Sequence, residues 1–162
     1  MSAKHVVVQG ATLKCKFAEV ADTTDILKVK SQSKHFANDK DASKKLIATT
    51  KEIGQTLQKN TFGNCKLQPM GNSYKPCQTV IQEWSGFYQK VTLSNQGKIL
   101  VEDSKATCSI GGPDCITIAN HGQKVELGKQ NVMNANKHIC RQINPLVNMN
   151  KFQNDIVGDD IL

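Results

Sequence analysis

Large aromatic side chains are scarce in this sequence. It has one Trp, two Tyr and five Phe among 162 residues, and 38% of its residues are hydrophobic. A chain of this length is ordinarily one domain with a real core, but so few large apolar side chains predict a thin core. We expect the six cysteines to supplement it, because small cores are often reinforced by metals or disulfides.

Long apolar runs are missing as well. The start, MSAKHVVVQGATLKC, contains only a three-residue apolar run, too short for a signal peptide. No stretch approaches the roughly 18 to 20 apolar residues that span a bilayer. We therefore expect synthesis in a reducing cytoplasm without stable membrane insertion, where cysteines bind metal or stay reduced more often than they form disulfides. A machine that exports proteins without a signal peptide could also carry such a chain.

Arginine occurs once, at Arg141, although the formal net charge is +7. The lysines that supply the charge are scattered along the chain. Because arginine is the usual reader of guanine edges, the pattern favours a solvated basic face over a nucleic-acid surface.

Signatures of common enzyme classes do not occur either. The sequence lacks G-x-S-x-G, H-E-x-x-H and the phosphate-binding G-x-x-x-x-G-K. A cysteine–histidine nucleophile pair would leave no local motif, because its partners meet only in space. No single cysteine stands out as activated, so we expect a protein that is not an enzyme.

Turn residues predict two related β-hairpins. In residues 101–123, an arm ending at Cys108 is followed by a Gly-Gly-Pro-Asp turn and the alternating run Ile116-Thr117-Ile118. Residues 6–29 contain a looser copy, whose first arm ends at Cys15. The fold class that we predict is mainly β, a small domain of irregular hairpins.

Other segments are less regular. Short strands are predicted at Val80–Trp84 and Val91–Leu93, whereas residues 61–78, with two cysteines, two prolines and two glycines, are predicted to form a fixed loop. The segment Leu46–Leu57 is compatible with a short helix or a strand, followed by an irregular continuation.

The composition changes after Gln123, where Asn and Gln become frequent. Apolar spacing predicts one helix there, ending at Pro145, and the acidic last residues predict a mobile tail. We divide the chain into a β domain, residues 1–125, and a partly helical C-terminal extension, residues 126–162.

Four cysteines share one kind of setting. Cys15 and Cys108 end hairpin arms, while Cys65 and Cys77 lie in the Gly/Pro-rich segment. Four converging thiolates can hold Zn²⁺ tetrahedrally, with Zn–S distances of about 2.3 Å. Because no paired C-x-x-C occurs, four buried thiols packed as small apolar groups, or disulfide pairing, remain alternatives.

Further residues could complete such a site. His121 is an alternative ligand if only three cysteines converge, and Cys115 or Cys140 could replace one of the four. Cys140 is more readily interpreted as a free thiol on the C-terminal helix. His5 and His35 lie in polar surroundings, which favours a surface position for both.

Several short motifs occur in a specific order over about residues 5–125: VVVQGATLKC, TFGNC, KPC, a Trp, and SKATCSIGG…ITIANHGQ. In this order they resemble the PAAR-like proteins, the spike-tip proteins of type VI secretion and related contractile injection systems. The resemblance places the family's recurring cysteines on Cys15, Cys65, Cys77 and Cys108. Better-known PAAR proteins use mostly His with a Cys around zinc, a His set that this sequence lacks. Cys115, Cys140 and the extension lie outside the matching pattern.

The resemblance implies a cone-shaped β domain with a metal-supported apex. Its base would cap a trimeric VgrG-type spike, one tip per trimer, and sharpen the spike for piercing an envelope. The protein would be made in the bacterial cytoplasm and exported by the injection machine, and the extension could bind an effector or adaptor. The most strand-like runs are our candidates for spike contacts, because strand edges can continue a partner's β structure: Val6, Val7, Val8, Ile116 and Ile118.

The alternative function is a small cytoplasmic zinc-binding module that binds nucleic acid or protein. A polyanion binder would lose affinity steeply as salt rises, whereas a spike tip would respond little. A thiol enzyme, the third option, would need one cysteine with a depressed pKa.

Overall fold

Nine β-strands provide the regular structure in the described residues of the N-terminal part of the chain. The computed structural model describes residues 4–39, 41–124, 133–143, 146, 148 and 150–151. The strands are β1 (Thr12–Cys15), β2 (Thr24–Ile26), β3 (Asn64–Met70), β4 (Ser73–Pro76), β5 (Ile81–Ser85), β6 (Tyr88–Thr92), β7 (Lys98–Ile99), β8 (Lys105–Cys108) and β9 (Gly112–Asn120). The predicted mainly-β class is confirmed.

Five strands form the central antiparallel sheet, in the order β2-β1-β9-β8-β5. Both predicted hairpins are present, as β1–β2 and β8–β9. The predicted Gly-Gly-Pro-Asp turn was placed too late, because Cys108 pairs with Gly112 and residues 109–111 form the turn. Strand β9 also pairs with β1, so that Ile116 lies opposite Cys15 on one side and Ala106 on the other. The two arms that end in cysteine therefore flank one shared strand.

The prediction of a fixed loop at residues 61–78 was wrong, because this segment contains the hairpin β3–β4. Met70 pairs with Ser73 across a two-residue Gly-Asn turn, and Gly71 has a φ of 59°. Gly-Asn between extended runs is itself a hairpin signal. Pro69 and Pro76 are tolerated because both strands of a two-stranded sheet are edge strands.

Residues 46–57 form neither a helix nor a named strand. Single bridges hold the segment in place, among them Ile47 to Val8, Thr49 to Ile99 and Leu57 to Leu27. Gly54 has a φ of 87°, which lies outside the right-handed helical region. The helical alternative was therefore wrong, and tertiary bridges determine the path of this segment.

Cysteines form part of the hydrophobic core. Cys65, Cys77, Cys108 and Cys115 are buried in one cluster with Leu, Ile, Val and Phe side chains. The only Trp, Trp84, is also buried there and donates a hydrogen bond of 2.8 Å from Nε1 to the carbonyl oxygen of Glu52. Small thiols thus fill space that few aromatic residues are available to fill.

The chain forms two compact units, Met1–Gln123 and Lys124–Leu162. In the second unit, helix α1 spans Lys137–Ile143. The predicted helix end at Pro145 and the predicted mobile tail lie outside the described residues. No helix in the described part of the chain is long and apolar enough to cross a membrane.

Candidate functional site

The cysteines predicted as metal ligands come from different parts of the first unit. Cys15 ends β1 and Cys108 ends β8, on opposite sides of β9. Cys65 lies in β3, where it bridges to Ala18, and Cys77 directly follows β4. The fold thus draws all four toward one core cluster, in which Cys15 is the partly buried member.

One thiol–thiol contact involves a cysteine outside the predicted four. A hydrogen bond between the Cys15 and Cys115 side chains lowers the pKa of Cys115 to about 6, and the backbone N–H of Cys108 adds to this effect. The same contact, with burial, raises the pKa of Cys15 above its ordinary value. Because Cys115 lies on β9 beside the end of β1, the pairing β1–β9 determines this contact.

The other thiols have separate surroundings. Cys77 Sγ lies 3.3 Å from the hydroxyl of Thr79, and the backbone N–H of Cys77 donates to the carbonyl of Gly63. The five cysteines whose side chains are described, Cys15, Cys65, Cys77, Cys108 and Cys115, are free thiols. In this structure they pack as buried or half-buried thiols rather than disulfides.

The donor chemistry of these cysteines suits zinc, because thiolates are among its preferred ligands. Their sulfur atoms, however, are not close enough together to form a complete metal-binding site. Among the described residues, the group of three His, Cys, Asp or Glu ligand atoms that all lie within 4.8 Å of one another contains no cysteine. The sulfurs would have to converge further to hold an ion, so the cysteine site stays a prediction.

That compact group consists of His5, Glu102 and His121. His5 Nδ1 lies 3.0 Å from Glu102 Oε2, and the rings of His5 and His121 are stacked, with centroids 4.5 Å apart. His121, predicted as an alternative ligand beside the cysteines, therefore lies with a different set of partners. Neither Glu102 nor this grouping could be predicted from the sequence, because the three residues are far apart in the chain and carry no local motif.

In a comparison with protein families, residues 7–123 match the family described as "Domain of unknown function (DUF4280)". This span covers well over half of the sequence. The chain belongs to the DUF4280 family. No curated protein and no solved structure matches the chain.

The DUF4280 match coincides closely with the first compact unit, which ends at Gln123. It includes both cysteine-ended arms, the β3–β4 hairpin and His121, and it begins two residues after His5. The five cysteines with described side chains all lie within the DUF4280 match.

The residues predicted to contact a spike differ in accessibility within the DUF4280 unit. Val7, Val8 and Ile116 are fully buried, so their side chains pack inside this chain. Val6 and Ile118 are partly exposed. Their part in partner binding stays a prediction, and the buried three could contribute only through their backbone or through the shape that they support.

Val6 borders an apolar hollow on the described surface of the DUF4280 unit. The hollow has a volume of about 590 Å³, and Phe87, Tyr88, Ile99 and Val101 are among its lining residues. Tyr88 is 45% exposed although its ring is largely apolar. Concave apolar surfaces of this kind are suited to receive side chains of a partner.

Proposed function

We propose that this chain is a non-enzymatic tip protein that caps a trimeric VgrG-type spike of a contractile injection system and sharpens it for piercing an envelope. One chain would bind per spike trimer. The protein would be made in the bacterial cytoplasm and exported by the injection machine, and the second unit, Lys124–Leu162, could bind an effector or adaptor.

The observation that supports this proposal most is the position of the resembling motifs in the fold. VVVQGATLKC leads into and forms β1, and SKATCSIGG…ITIANHGQ contains β8 and β9. These segments are neighbours in one sheet, with β9 in the centre. Motifs that are far apart in the sequence are thus neighbours in one sheet, as expected if they belong to a single architecture.

The physical properties of the first unit suit a tip. Its short antiparallel strands are paired, and isolated β-bridges connect segments outside the strands. These backbone hydrogen bonds limit local unfolding of the unit. The apolar hollow beside Val6 provides a surface that a partner can cover. We propose this hollow as part of the base that contacts the spike, with Val6 as its member from the predicted contact set.

We also propose that zinc supports the tip through Cys15, Cys65, Cys77 and Cys108. Four thiolates are a common structural zinc set, and such a site adds folding free energy to a domain with a small core. The test is elemental analysis of protein purified without added metal, with each cysteine changed to Ser in turn. About one zinc per chain is expected. Cys140→Ser, in the second unit and outside the resembling pattern, is the control, and Cys115→Ser tests whether the neighbour of Cys15 is a ligand.

A contradictory result would be wild-type protein without metal, together with unchanged thermal stability in all four Cys→Ser variants. Zinc loss in Cys115→Ser but not in Cys108→Ser would instead revise the ligand set. The tip proposal itself does not depend on either outcome, because it is tested by spike binding.

Spike binding can be tested with a mutation at the proposed base. Val6→Asp places a charge beside the apolar hollow, and Val20→Asp makes the same change at a valine that is 68% exposed and does not line it. Burying an unpaired carboxylate in an interface is costly, so Val6→Asp should weaken binding to a purified trimeric spike at least tenfold, about 1.4 kcal/mol. Val20→Asp should bind like the wild type.

The alternative, a zinc module that binds nucleic acid, predicts a different salt response. Its affinity for a polyanion would fall steeply between low and physiological salt, because counterions are released on binding. Binding of the wild-type chain to a spike should change little over the same range. Tight, salt-sensitive binding to nucleic acid without any binding to a spike would favour the alternative.

A further inference from the structure

Three side chains from distant parts of the sequence meet at one edge of the first unit. The ligand atoms of His5, Glu102 and His121 all lie within 4.8 Å of one another. His5 is the most exposed, with 57% of its side chain accessible, and Glu102 is 33% accessible. The group is therefore accessible to ions from solvent and separate from the buried thiols.

The backbone around these residues is held by hydrogen bonds between their segments. The backbone N–H of Glu102 donates to the carbonyl of His5, and that of Val8 donates to the carbonyl of His121, each at 3.0 Å. The Gln123 side chain donates from Nε2 to the carbonyl of Val6 at 2.6 Å. The three Cα positions are thus fixed by the fold, and only side-chain rotations remain to be adjusted.

We propose that His5, Glu102 and His121 form a binding site for a divalent first-row transition-metal ion such as Ni²⁺ or Zn²⁺. Two imidazoles and one carboxylate are a donor set that these ions use in proteins. Water or a group from a partner would complete the coordination, because the protein supplies three donors.

The distances are close to those that an ion requires. Donor atoms about 2.0 to 2.2 Å from a tetrahedral ion lie roughly 3.3 to 3.6 Å apart, and His5 Nδ1 is already 3.0 Å from Glu102 Oε2. An ion would replace the proton that these two atoms share. Two ligand atoms separated by the 4.8 Å limit of the group would have to approach each other by about 1.2 to 1.5 Å to reach this separation.

The stacked rings must change for the ion to bind. Their planes differ by 11°, and an ion lies in the plane of each imidazole that ligates it, so parallel stacked rings cannot both point at one ion. His5 is the ring that can rotate, because most of it is exposed. His121 is more restrained, since its Nδ1 accepts a hydrogen bond from the backbone N–H of Gln123.

This site is independent of the tip proposal and of the cysteine site. No cysteine belongs to the group, and Ni²⁺ suits imidazole ligands whereas zinc is also held by thiolates. Nickel is therefore the better probe for distinguishing the two sites.

The test is a calorimetric titration of the untagged full-length chain with Ni²⁺ under reducing conditions. The variants are His121→Ala and Glu102→Gln, the second of which keeps the shape of the side chain. Loss of a residue that only orients a ligand costs 10- to 100-fold in metal affinity, so loss of a ligand should weaken Ni²⁺ binding by at least about tenfold. His35→Ala is the matched control, because His35 contacts Ser94 and lies outside the group.

Nuclear magnetic resonance of labelled histidine rings supplies a readout that a purely structural effect would not give. During a Zn²⁺ titration, the ring nitrogens of His5 and His121 should shift together, while those of His35 stay in place. Equal Ni²⁺ affinity in the wild type, His121→Ala and Glu102→Gln would overturn the proposal. Binding that is lost in Cys15→Ser but retained in His121→Ala would also overturn it, by assigning the ion to the thiols.

Discussion

At the scale of single residues, a buried carboxylate organises one side of the first unit. Glu52 is 1% exposed, and its side chain accepts hydrogen bonds from the backbone N–H groups of Lys30 and Ser31 and from the Ser31 hydroxyl. Its own carbonyl accepts from Trp84. Glu52 therefore joins three segments that are distant in the sequence.

Removal of this acceptor should destabilise the fold. Glu52→Ala removes the acceptor of two part-buried backbone N–H groups, and a hydrogen bond to a charged group contributes about 1.5 to 3 kcal/mol. Because water can reach part of this site, we expect the free energy of unfolding to fall by about 2 kcal/mol. Glu52→Gln keeps one acceptor oxygen and should cost about half as much. Chemical denaturation measures both, and equal stability of Glu52→Ala and the wild type would contradict this interpretation.

A second carboxylate responds to pH. Asp39 Oδ2 accepts hydrogen bonds from the backbone N–H groups of Lys45, Lys44 and Ser43, at 2.7, 2.6 and 2.9 Å. These bonds, that to Lys45 first, lower the pKa of Asp39 to about 2. The folded chain thus favours the ionised carboxylate, whose ordinary pKa is about 3.9.

The lowered pKa of Asp39 determines how the stability of the fold depends on pH. The stabilisation by Asp39 should be fully present above about pH 4 and be lost as the pH falls toward 2. Nuclear magnetic resonance of the Asp39 carboxyl should show a titration midpoint near the lower value. Asp39→Asn should remove the loss of stability at low pH that comes from this carboxylate. Asp41→Asn, a nearby carboxylate change, should retain that loss. A midpoint near 4 in the wild type would contradict the prediction.

Individual contacts of this kind could not be predicted from the sequence. Glu52 lies in a segment whose apolar spacing favoured a helical stripe, yet Ile53 of that stripe is 46% exposed and Glu52 is buried. His5, predicted at the surface, is exposed, but its contacts with Glu102 and His121 depend on pairings between segments about 100 residues apart. Local patterns contain no information about such partners.

At the scale of elements, local turn chemistry predicted the hairpins well. Both predicted hairpins occur, but the turn between β8 and β9 consists of residues 109–111, and Gly112, Pro113 and Asp114 of the predicted turn already belong to β9. The β3–β4 hairpin was missed because two prolines and two glycines were taken as evidence for a loop. The order of strands in the sheet, with β9 between β1 and β8, depends on tertiary packing and was not predicted.

The β3–β4 turn provides a test at this scale. Gly71 has a φ of 59°, and an added Cβ would meet no atom within 4 Å, so Gly71→Ala tests backbone strain alone. We expect it to lower the free energy of unfolding by about 1 to 2 kcal/mol. Asn72→Ala, at the neighbouring turn position, is the control and should cost less. Unchanged stability of Gly71→Ala in chemical denaturation would argue against this turn conformation.

At the scale of the whole molecule, the cysteines of the first unit belong to the hydrophobic core or pack against it, and four of them are also the proposed zinc ligands. The sequence alone allowed metal binding, buried thiols or disulfides, and the structure has Cys65, Cys77 and Cys108 as buried free thiols. Cys15 contacts Cys115, a residue outside the pattern of the resemblance. Which cysteines hold an ion was not predictable from spacing, because small rotations of side chains decide whether sulfurs converge.

The membership in DUF4280 identifies the family without a function, so the tip proposal depends on the resembling motifs and their position in one sheet. The tip proposal predicts the stoichiometry of the complex with the spike, and few other functions predict the same one. One asymmetric chain on the end of a three-fold spike gives a complex of one chain per trimer, because a second copy would overlap the first.

The most direct test is the mass of the complex between this chain and a purified trimeric VgrG-type spike from the same cells, measured by native mass spectrometry. The account predicts a single species containing one chain and three spike subunits, formed at both low and physiological salt. Free spike trimers with no bound chain at either salt concentration, or three chains per trimer, would contradict it.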